Sequence, residues 1–424
     1  MAASRSPTHP PPAKSPTTYN PTYINCISRD ILREIFLRLP SLGTLVRAAC
    51  TCRAWRDAVV SSPKFRCQFR NLHPAPLLGL FIEVPNPPRS RILPATPIFF
   101  PAVFRDRDLV TVVRGGDFQL TSIQERSEVS LPGTIMIDSR HGYVLLIHCV
   151  DRLLTVFNPL LRWSKTFGLY EETIRHVQLA NPQLVCSDED PMSFRVVFLG
   201  HDNSRVRATV FSSKTLEWSI LPWVEVPTMP PNGSQDRWIE IEGCTQANRF
   251  LYWVYTHNQI HFQDGWFTMA LDTTTMEFAF AELPPILNEE CWSFHLHLGE
   301  MKDTSPCIVY VSDFNVGVLL CATEGDGAQS WYIDKVSELH TQITELLGDA
   351  PLVEVDVVEV TSGFAYLAVD MGDETLDFRW LLSLCLETME LDKQFRVAFI
   401  GAVYPYIMAW PPANYGTFAQ CDDA

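Results

Sequence analysis

The chain has 424 residues, 46% of them hydrophobic, and a formal net charge of −16. That length supports a sizeable core and more than one domain, and the acidity argues against general nucleic-acid binding. No apolar run reaches the ~18 residues of a membrane span, so no membrane partner is expected. Charge is unevenly placed. Residues 24–72 hold nine Lys/Arg against three Asp/Glu, or +6; residues 1–23 add +2, which leaves −24 for residues 73–424. A small basic module precedes a large acidic body, and the two should meet different partners. The twelve cysteines form no CxxC pair and follow no signal peptide. They read as reduced thiols of a cytosolic or nuclear protein, most of them small core residues.

Residues 1–22 (MAASRSPTHPPPAKSPTTYNPT) contain six prolines and no acid. Such a segment cannot bury enough surface to offset its ordering entropy, so it is expected to be a disordered tail. A transit peptide is the alternative. Arg5 and Lys14 are its only basic residues, however, and the prolines block an amphipathic helix.

Ser28–Leu39 reads SRDILREIFLRL. Ile31, Leu32, Ile35, Phe36 and Leu39 share one face of a 3.6-period helix, with Ser28 as N-cap and Asp30 in the first turn. Pro40 stops it. Ser41 caps a second helix over 42–51, with Leu45, Val46 and Ala49 inward. A third over 53–60 buries Trp55, Ala58 and Val59, and Ser62-Pro63 opens a short fourth segment. Three short helices in about 40 residues make a thin core. Exposed Leu/Ile beside arginines suggest a groove that another protein fills. Cys50 and Cys52 point about 200° apart on a helix and cannot chelate one ion. Cys50 is expected to be a small residue that lets helices approach.

The run ISRDILREIFLRLPSLGTLVRAACTCRAWRDAVVSSPKF resembles an F-box. The likeness includes the opening D-I-L-x-E-I-F-x-R-L-P, the central L-V-R-A-A-x-x-C-R-A-W-R and the closing S-S-P-x-F, in order and at family spacing. It implies docking on the Skp-family adaptor of cullin-RING ubiquitin ligases, which is acidic and suits the +6 charge. Candidate adaptor-binding residues by this resemblance are Ile27, Asp30, Ile31, Leu32, Leu45, Val46 and Trp55. Several of them must also hold the helices together. The family usually opens with Leu-Pro, and here the pair is Ile27-Ser28; the missing proline normally contacts the adaptor. A helix-turn-helix DNA reader is the rival, but no helix face carries a run of base-reading Asn, Gln and Arg.

From about Pro76 the periodicity changes to 2 or to short apolar runs. Expected strands are 77–83, 143–148, 153–157, 194–199, 206–211, 251–256, 267–271, 308–312, 316–321, 365–370, 380–386 and 397–403. Residues 333–347 are the one sizeable helical candidate. A repeat is visible: SKTLEW at 213–218, TTTMEF at 273–278 and LETMEL at 386–391 share Thr-(Leu/Met)-Glu-apolar. NPLLRW at 158–163 and AQSWYI around Trp331 fit the same slot. The anchors Trp163, Trp218, Phe278, Trp331 and Leu391 are 55, 60, 53 and 60 apart. That period suits a four-stranded sheet, and repeated sheets suggest propeller blades whose closure protects their edges. The expected fold is thus a small all-α module (23–72) followed by a large all-β domain (73–424), a β-propeller of about six blades, with a β-sandwich pair as the alternative. The strand at 397–403 should complete the first blade. LLGLFIE, DSRHGYVLL and SLCLETMEL also resemble the F-box-associated propeller domains common in plant F-box proteins.

No GxSxG, HExxH, Walker A loop, GxGxxG or SxDxGxxW repeat occurs, so no catalytic residue, metal or cofactor is expected. His295 and His297 share a strand face and could chelate with Cys291 or His261, but lone His-x-His pairs in strands are usually structural. Glu289-Glu290 and Asp188-Glu189-Asp190 read as solvated loops, the latter able to attract a basic partner. Trp223, Trp238, Trp266 and Trp292 could stack on sugars, and are more often core. The leading expectation is a substrate-receptor subunit of an SCF-type ubiquitin ligase, binding the Skp-family adaptor and an unidentified protein substrate. A propeller lectin or enzyme, and an F-box scaffold outside a ligase, are the alternatives.

Overall fold

A computed structural model describes residues 27–73, 75–83, 96–102, 107–126, 133–169, 178–180, 182–186, 193–202, 204–227, 238–259, 262–285, 287, 295–323, 329–348, 350–372, 378–398 and 401–408. The chain divides into two compact units, Met1–His73 and Pro74–Ala424. The proline-rich tail, Trp292, Cys291, His261 and both acidic loops lie outside the described residues.

The first unit contains α1 (Arg29–Leu37), α2 (Leu42–Thr51), α3 (Arg53–Val60) and α4 (Pro63–Leu72). Ser28, Ser41 and Ser62 cap α1, α2 and α4: their hydroxyls accept from the backbone N–H three residues on, at 3.4, 3.2 and 3.2 Å. Each cap satisfies one amide that the first turn leaves without a partner. Leu32, Phe36, Leu42, Leu45, Ala58, Val59, Phe65 and Phe69 are buried. A run of aromatic contacts ties the helices together, from Trp55 to Phe36 (5.3 Å), Phe36 to Phe65 (6.5 Å) and Phe65 to Phe69 (6.1 Å). The fourth segment is therefore a full helix that supplies two core aromatics. The expected role of Cys50 is corrected: its side chain is exposed, and Cys52 sits in extended backbone between α2 and α3.

The second unit is a six-bladed β-propeller. Blades two, four, five and six are four-stranded antiparallel meanders: 134–168, 238–282, 295–338 and 354–398. The third blade, 178–225, adds short strands to the same plan. The first blade takes Leu77–Ile82 and Ile98–Pro101 from the start of the unit and Val403–Ile407 from its end. The last strand pairs Leu80 with Pro405 and Ile82 with Val403, which closes the ring. Pro405 is tolerated because this innermost strand is an edge, where a missing N–H leaves no neighbour unpaired.

Packing shows the closure independently. A buried apolar cluster lies between every neighbouring pair of blades, including Leu80, Ile82 and Val403 of the first against Tyr366, Leu381 and Val397 of the sixth. A sandwich of two sheets would have one such layer. The first blade carries α5 (Arg107–Gly115) and α6 (Thr121–Arg126) beyond its outer strand, and Phe118, Leu120 and Ile123 fill the gap to the second blade. The sequence pattern marks neither helix.

The repeat marks the hairpin into each blade's outer strand. Leu216, Met276 and Met389 have φ of 59°, 62° and 58°, and their N–H groups donate to Ser212, Asp272 and Cys385 carbonyls at 2.8, 2.7 and 2.7 Å. The conserved-looking spelling thus records one left-handed turn made three times. In the second blade the left-handed residue is Arg162 (φ 51°), so NPLLRW aligns one residue away from the slot assigned by spelling. Two further expectations are corrected. Residues 333–347 are not one helix: Gln329–Glu338 is an outer strand and only α7 (His340–Leu347) is helical. Val397 belongs to the outer strand of the sixth blade (Leu391–Ala398), and the closing strand starts at Val403.

Gly299 sits where the inner strands of blades five and six approach. A Cβ there would lie 2.2 Å from Val360 Cγ1 and 2.5 Å from the Val360 carbonyl oxygen. Gly299→Ala should therefore destabilise the propeller by about 1–3 kcal/mol, measured as a lower urea midpoint.

Candidate functional site

Two places in the molecule offer unusual surface or chemistry, one in each unit. On the helical unit, α1 divides its apolar residues between two directions. Leu32 and Phe36 point into the core, whereas Ile31 and Ile35, one turn apart, are 56% and 45% exposed. Ile27, Val46 and Trp55 are half-buried. Asp30 is exposed and pairs with Arg33 at 3.1 Å; Arg33 also donates to the Ala58 carbonyl and to the Ser61 hydroxyl, fastening α1 to the end of α3. Trp55 buries its Nε1 without a hydrogen-bond partner among the described residues, and its ring meets Phe36 edge-on.

The seven expected adaptor-binding residues are thus not one surface. Leu32 (3% exposed) and Leu45 (1%) are interior residues of the helical unit. The helix period alone gave no reason to choose between adjacent positions 31 and 32. The helix period puts Ile35 on one face with Leu32 and Phe36, and the structure places it with Ile31 on the exposed side.

The second place is the propeller axis. A cavity of about 360 Å³ lies there, and every blade contributes to its wall: Tyr404, Ile137, Gln183, Gly243, His297 and Glu359, from the first to the sixth. Charged groups crowd around it. Arg140 lies 3.8 Å from Glu300 and donates to the Gln246 carbonyl at 3.0 Å. Asp138 accepts from the Leu184 N–H at 2.8 Å, and Glu83 from the Met136 N–H at 2.7 Å. Burial pushes the carboxyls of Asp138 and Glu83 up and takes Glu359 to about 8. Burial works against the charge on Arg140, but the carboxylates of Glu300, Asp138 and Glu359 more than offset it. Burial also holds His297 below the usual imidazole range.

Glu359 gives the axis a measurable signature. In the unfolded chain it ionises near its ordinary value; in the folded chain it keeps its proton to about pH 8. Between those values the folded state holds the extra proton, so this group lowers stability as pH rises, by up to about 1.4 kcal/mol per pH unit. Glu359→Gln should remove that slope. Relative to the parent, the variant should gain stability from about pH 5 to about pH 8, read from urea midpoints.

Among the described residues no group of three or more His, Cys, Asp or Glu is placed to hold a metal ion. No described helix is long and apolar enough to cross a membrane. Of the tryptophans considered for sugar stacking, Trp266 is buried, and Trp223 lies under the guanidinium groups of Arg205 and Arg207 at 5.0 and 4.5 Å. Trp218 and Trp331 wedge between blades, donating to the Gly168 carbonyl and the Thr268 hydroxyl of the preceding blade.

The axial set forms no motif in the sequence. Its members are acids within alternating strands, Asp138 in TIMIDSR and Glu359, one of three acids, in EVDVVEVT. Alternation alone does not place them, because the ladder shifts register between Met136 and Asp138 and between Val357 and Glu359. Each bulge turns the following residues by one position relative to the strand's period.

Among solved structures the chain is similar to an oligogalacturonate lyase in complex with manganese, at 8% identity and a TM-score of 0.34, covering 61% of this chain and 63% of the lyase. It is also similar to a quinonprotein alcohol dehydrogenase-like protein from Bacteroides thetaiotaomicron, at 10% identity and 0.37, covering 78% and 77%. A calcium-binding protein, regucalcin, from Agrobacterium tumefaciens follows at 8% and 0.31, covering 64% and 72%. These likenesses are too distant to bear on function. No curated protein matches the chain in sequence. Residues 24–67 match the F-box domain family, so the chain carries an F-box domain ahead of its six-bladed propeller.

Proposed function

We propose that this chain is the substrate receptor of an SCF-type cullin-RING ubiquitin ligase, with residues 23–72 as the adaptor-binding module and 73–424 as the target-binding domain. F-box domains typically bind Skp-family adaptors. The observation that carries the reading is the exposed Ile31–Ile35 pair on a capped helix whose other face is core. Two isoleucines in water, on a module with a thin core, are what a docking partner would cover. Ile27, Asp30, Val46 and Trp55 flank or support that contact, while Leu32 and Leu45 act from within by holding α1 and α2 in place.

The mechanism is proximity. The F-box fixes the chain to the adaptor, and the propeller holds a protein target near the ubiquitin-charged enzyme, raising its effective concentration. No residue of this chain need enter the chemistry. Target contacts belong on the loops at one mouth of the ring, where length and composition vary without cost to the scaffold. The acidity of the body suits a basic target surface.

The test is co-elution of purified full-length chain with a Skp-family adaptor, followed by addition of a cullin. A stable binary complex that recruits the cullin supports the reading. A folded chain that leaves the adaptor free sinks it, and adaptor binding without cullin recruitment favours a scaffold outside the ligase.

A further inference from the structure

The wall of the axial cavity carries polar side chains whose hydrogen-bonding capacity the protein leaves unused. Gln183 of the third blade, His297 of the fifth, Glu359 of the sixth and Tyr404 of the first all line it. Gln183 is only 7% exposed, yet its side-chain amide has no hydrogen-bond partner among the described residues. Buried amides are nearly always paired, so an unused one on a cavity wall points to an occupant.

His297 adds a fixed acceptor. Its Nδ1 lies 3.0 Å from the Leu298 carbonyl oxygen, which can only accept, so Nδ1 carries the proton. Burial keeps the ring neutral, which leaves Nε2 as a bare lone pair. One Glu359 oxygen accepts from the Val360 N–H at 3.0 Å, and the other has no partner among the described residues. Glu359 keeps its proton to about pH 8. The Tyr404 hydroxyl also lacks a partner among the described residues, and burial keeps it protonated. Four blades thus bring an amide, an imidazole nitrogen, a carboxyl and a phenol to one axis, all of them neutral at pH 7.

We propose that the axial cavity binds a neutral polyhydroxylated molecule of monosaccharide size, whose hydroxyls donate to His297 Nε2 and exchange hydrogen bonds with Gln183, Glu359 and Tyr404. A hydroxyl both donates and accepts, so one class of ligand answers all four groups. A volume of about 360 Å³ is within the range of small-molecule sites. Arg140 bears on the choice. It lies at the same axis among Glu300, Asp138 and Glu359, and its Nε has no partner among the described residues. A hydrocarbon body would leave that guanidinium in dry, unpaired surroundings, whereas an oxygen-rich one keeps them polar. An anion would meet the carboxyls of Asp138, Glu300 and Glu83. A cation would meet Arg140 and leave the Gln183 amide N–H groups without acceptors. The inference is independent of adaptor docking, which concerns the helical unit.

Probes of one size separate the charge classes. D-glucose, D-galactose and myo-inositol are neutral, D-glucosamine is cationic and D-glucuronate anionic. Each is titrated against the full chain at pH 6.5 by saturation-transfer NMR. At least one neutral probe should bind, with both charged sugars at least fivefold weaker than the best of them. Gln183→Leu is close in volume and removes the amide. It should weaken the best neutral probe about tenfold while the thermal melt stays level or rises, because the amide it removes has no protein partner. Tyr404→Phe keeps the ring and should weaken that probe roughly three- to tenfold. If Gln183→Leu melts early, Tyr404→Phe decides the matter alone. A charged sugar that binds as tightly as the best neutral probe, neutral binding unchanged in a folded variant, or no binding by any neutral probe overturns the proposal, the last by leaving the cavity to water.

Discussion

Aspartate at both Ile31 and Ile35 should abolish capture of a Skp-family adaptor while leaving the chain folded. Both side chains are about half exposed, so neither is part of the buried core of the helical unit. Covering the exposed half of each isoleucine gains about 1 kcal/mol, and a carboxylate forced into the same contact adds a larger desolvation cost. The double variant should therefore lose roughly 3–5 kcal/mol of binding, a drop of 100-fold or more in affinity. Isothermal titration with the adaptor measures it. The adaptor's acidity, implied by the F-box resemblance, makes two new negative charges doubly unfavourable. Leu32→Asp is the instructive contrast. It buries a charge in the core of the helical unit, so it should lose binding by unfolding the unit, and its helical circular dichroism should fall with it. A test that used Leu32 alone could not tell the two causes apart. Unchanged affinity in the folded Ile31/Ile35 variant would show that the adaptor, if bound, sits elsewhere.

The capped helices were legible because each signal was local. Ser28, Ser41 and Ser62 stand at three helix starts, and each does accept the expected amide. What local signals could not say is how wide an apolar stripe three short helices can cover. Positions 31, 32, 35 and 36 form a stripe broader than the neighbours reach, and only packing decides that 32 and 36 go in. In the propeller the strands found from the sequence are chiefly the middle two of each blade. Tyr143–His148 and Phe194–His201 are covered on both faces and so read as apolar runs. Outer strands such as Gln329–Glu338 alternate weakly between half-buried and exposed positions, and this one passed for helix. The axial site was hidden for a different reason. It depends on bulges, which are mismatches between two strands and leave no mark in the spelling of either.

Tyr406→Ala should open the ring. The strand Val403–Ile407 is the only covalent continuation of the sixth blade into the first among the described residues, and its pairing with Leu77–Ile82 spans nearly the whole length of the unit. Tyr406 anchors it. The side chain is fully buried, its ring meets Phe118 edge-on at 5.1 Å and Phe81 at 6.1 Å, and its hydroxyl donates to the Gly142 carbonyl of the second blade at 2.8 Å. Burial pushes the phenol well above its usual range, so this contact is that of a neutral hydroxyl at any ordinary pH. Removing the ring should cost about 3–5 kcal/mol, the range for deleting a buried aromatic. Tyr406→Phe loses the hydroxyl alone and should cost about 1–2 kcal/mol. The larger loss has a structural consequence that the smaller lacks. With the closing strand detached, Leu77–Ile82 presents a free apolar edge, and such edges pair with other chains. The alanine variant should therefore unfold at a lower urea midpoint and also elute in part as a dimer or larger species, with the phenylalanine variant monomeric. Equal midpoints for alanine and parent would mean that the blades hold together without the Tyr406 anchor of the C-terminal strand.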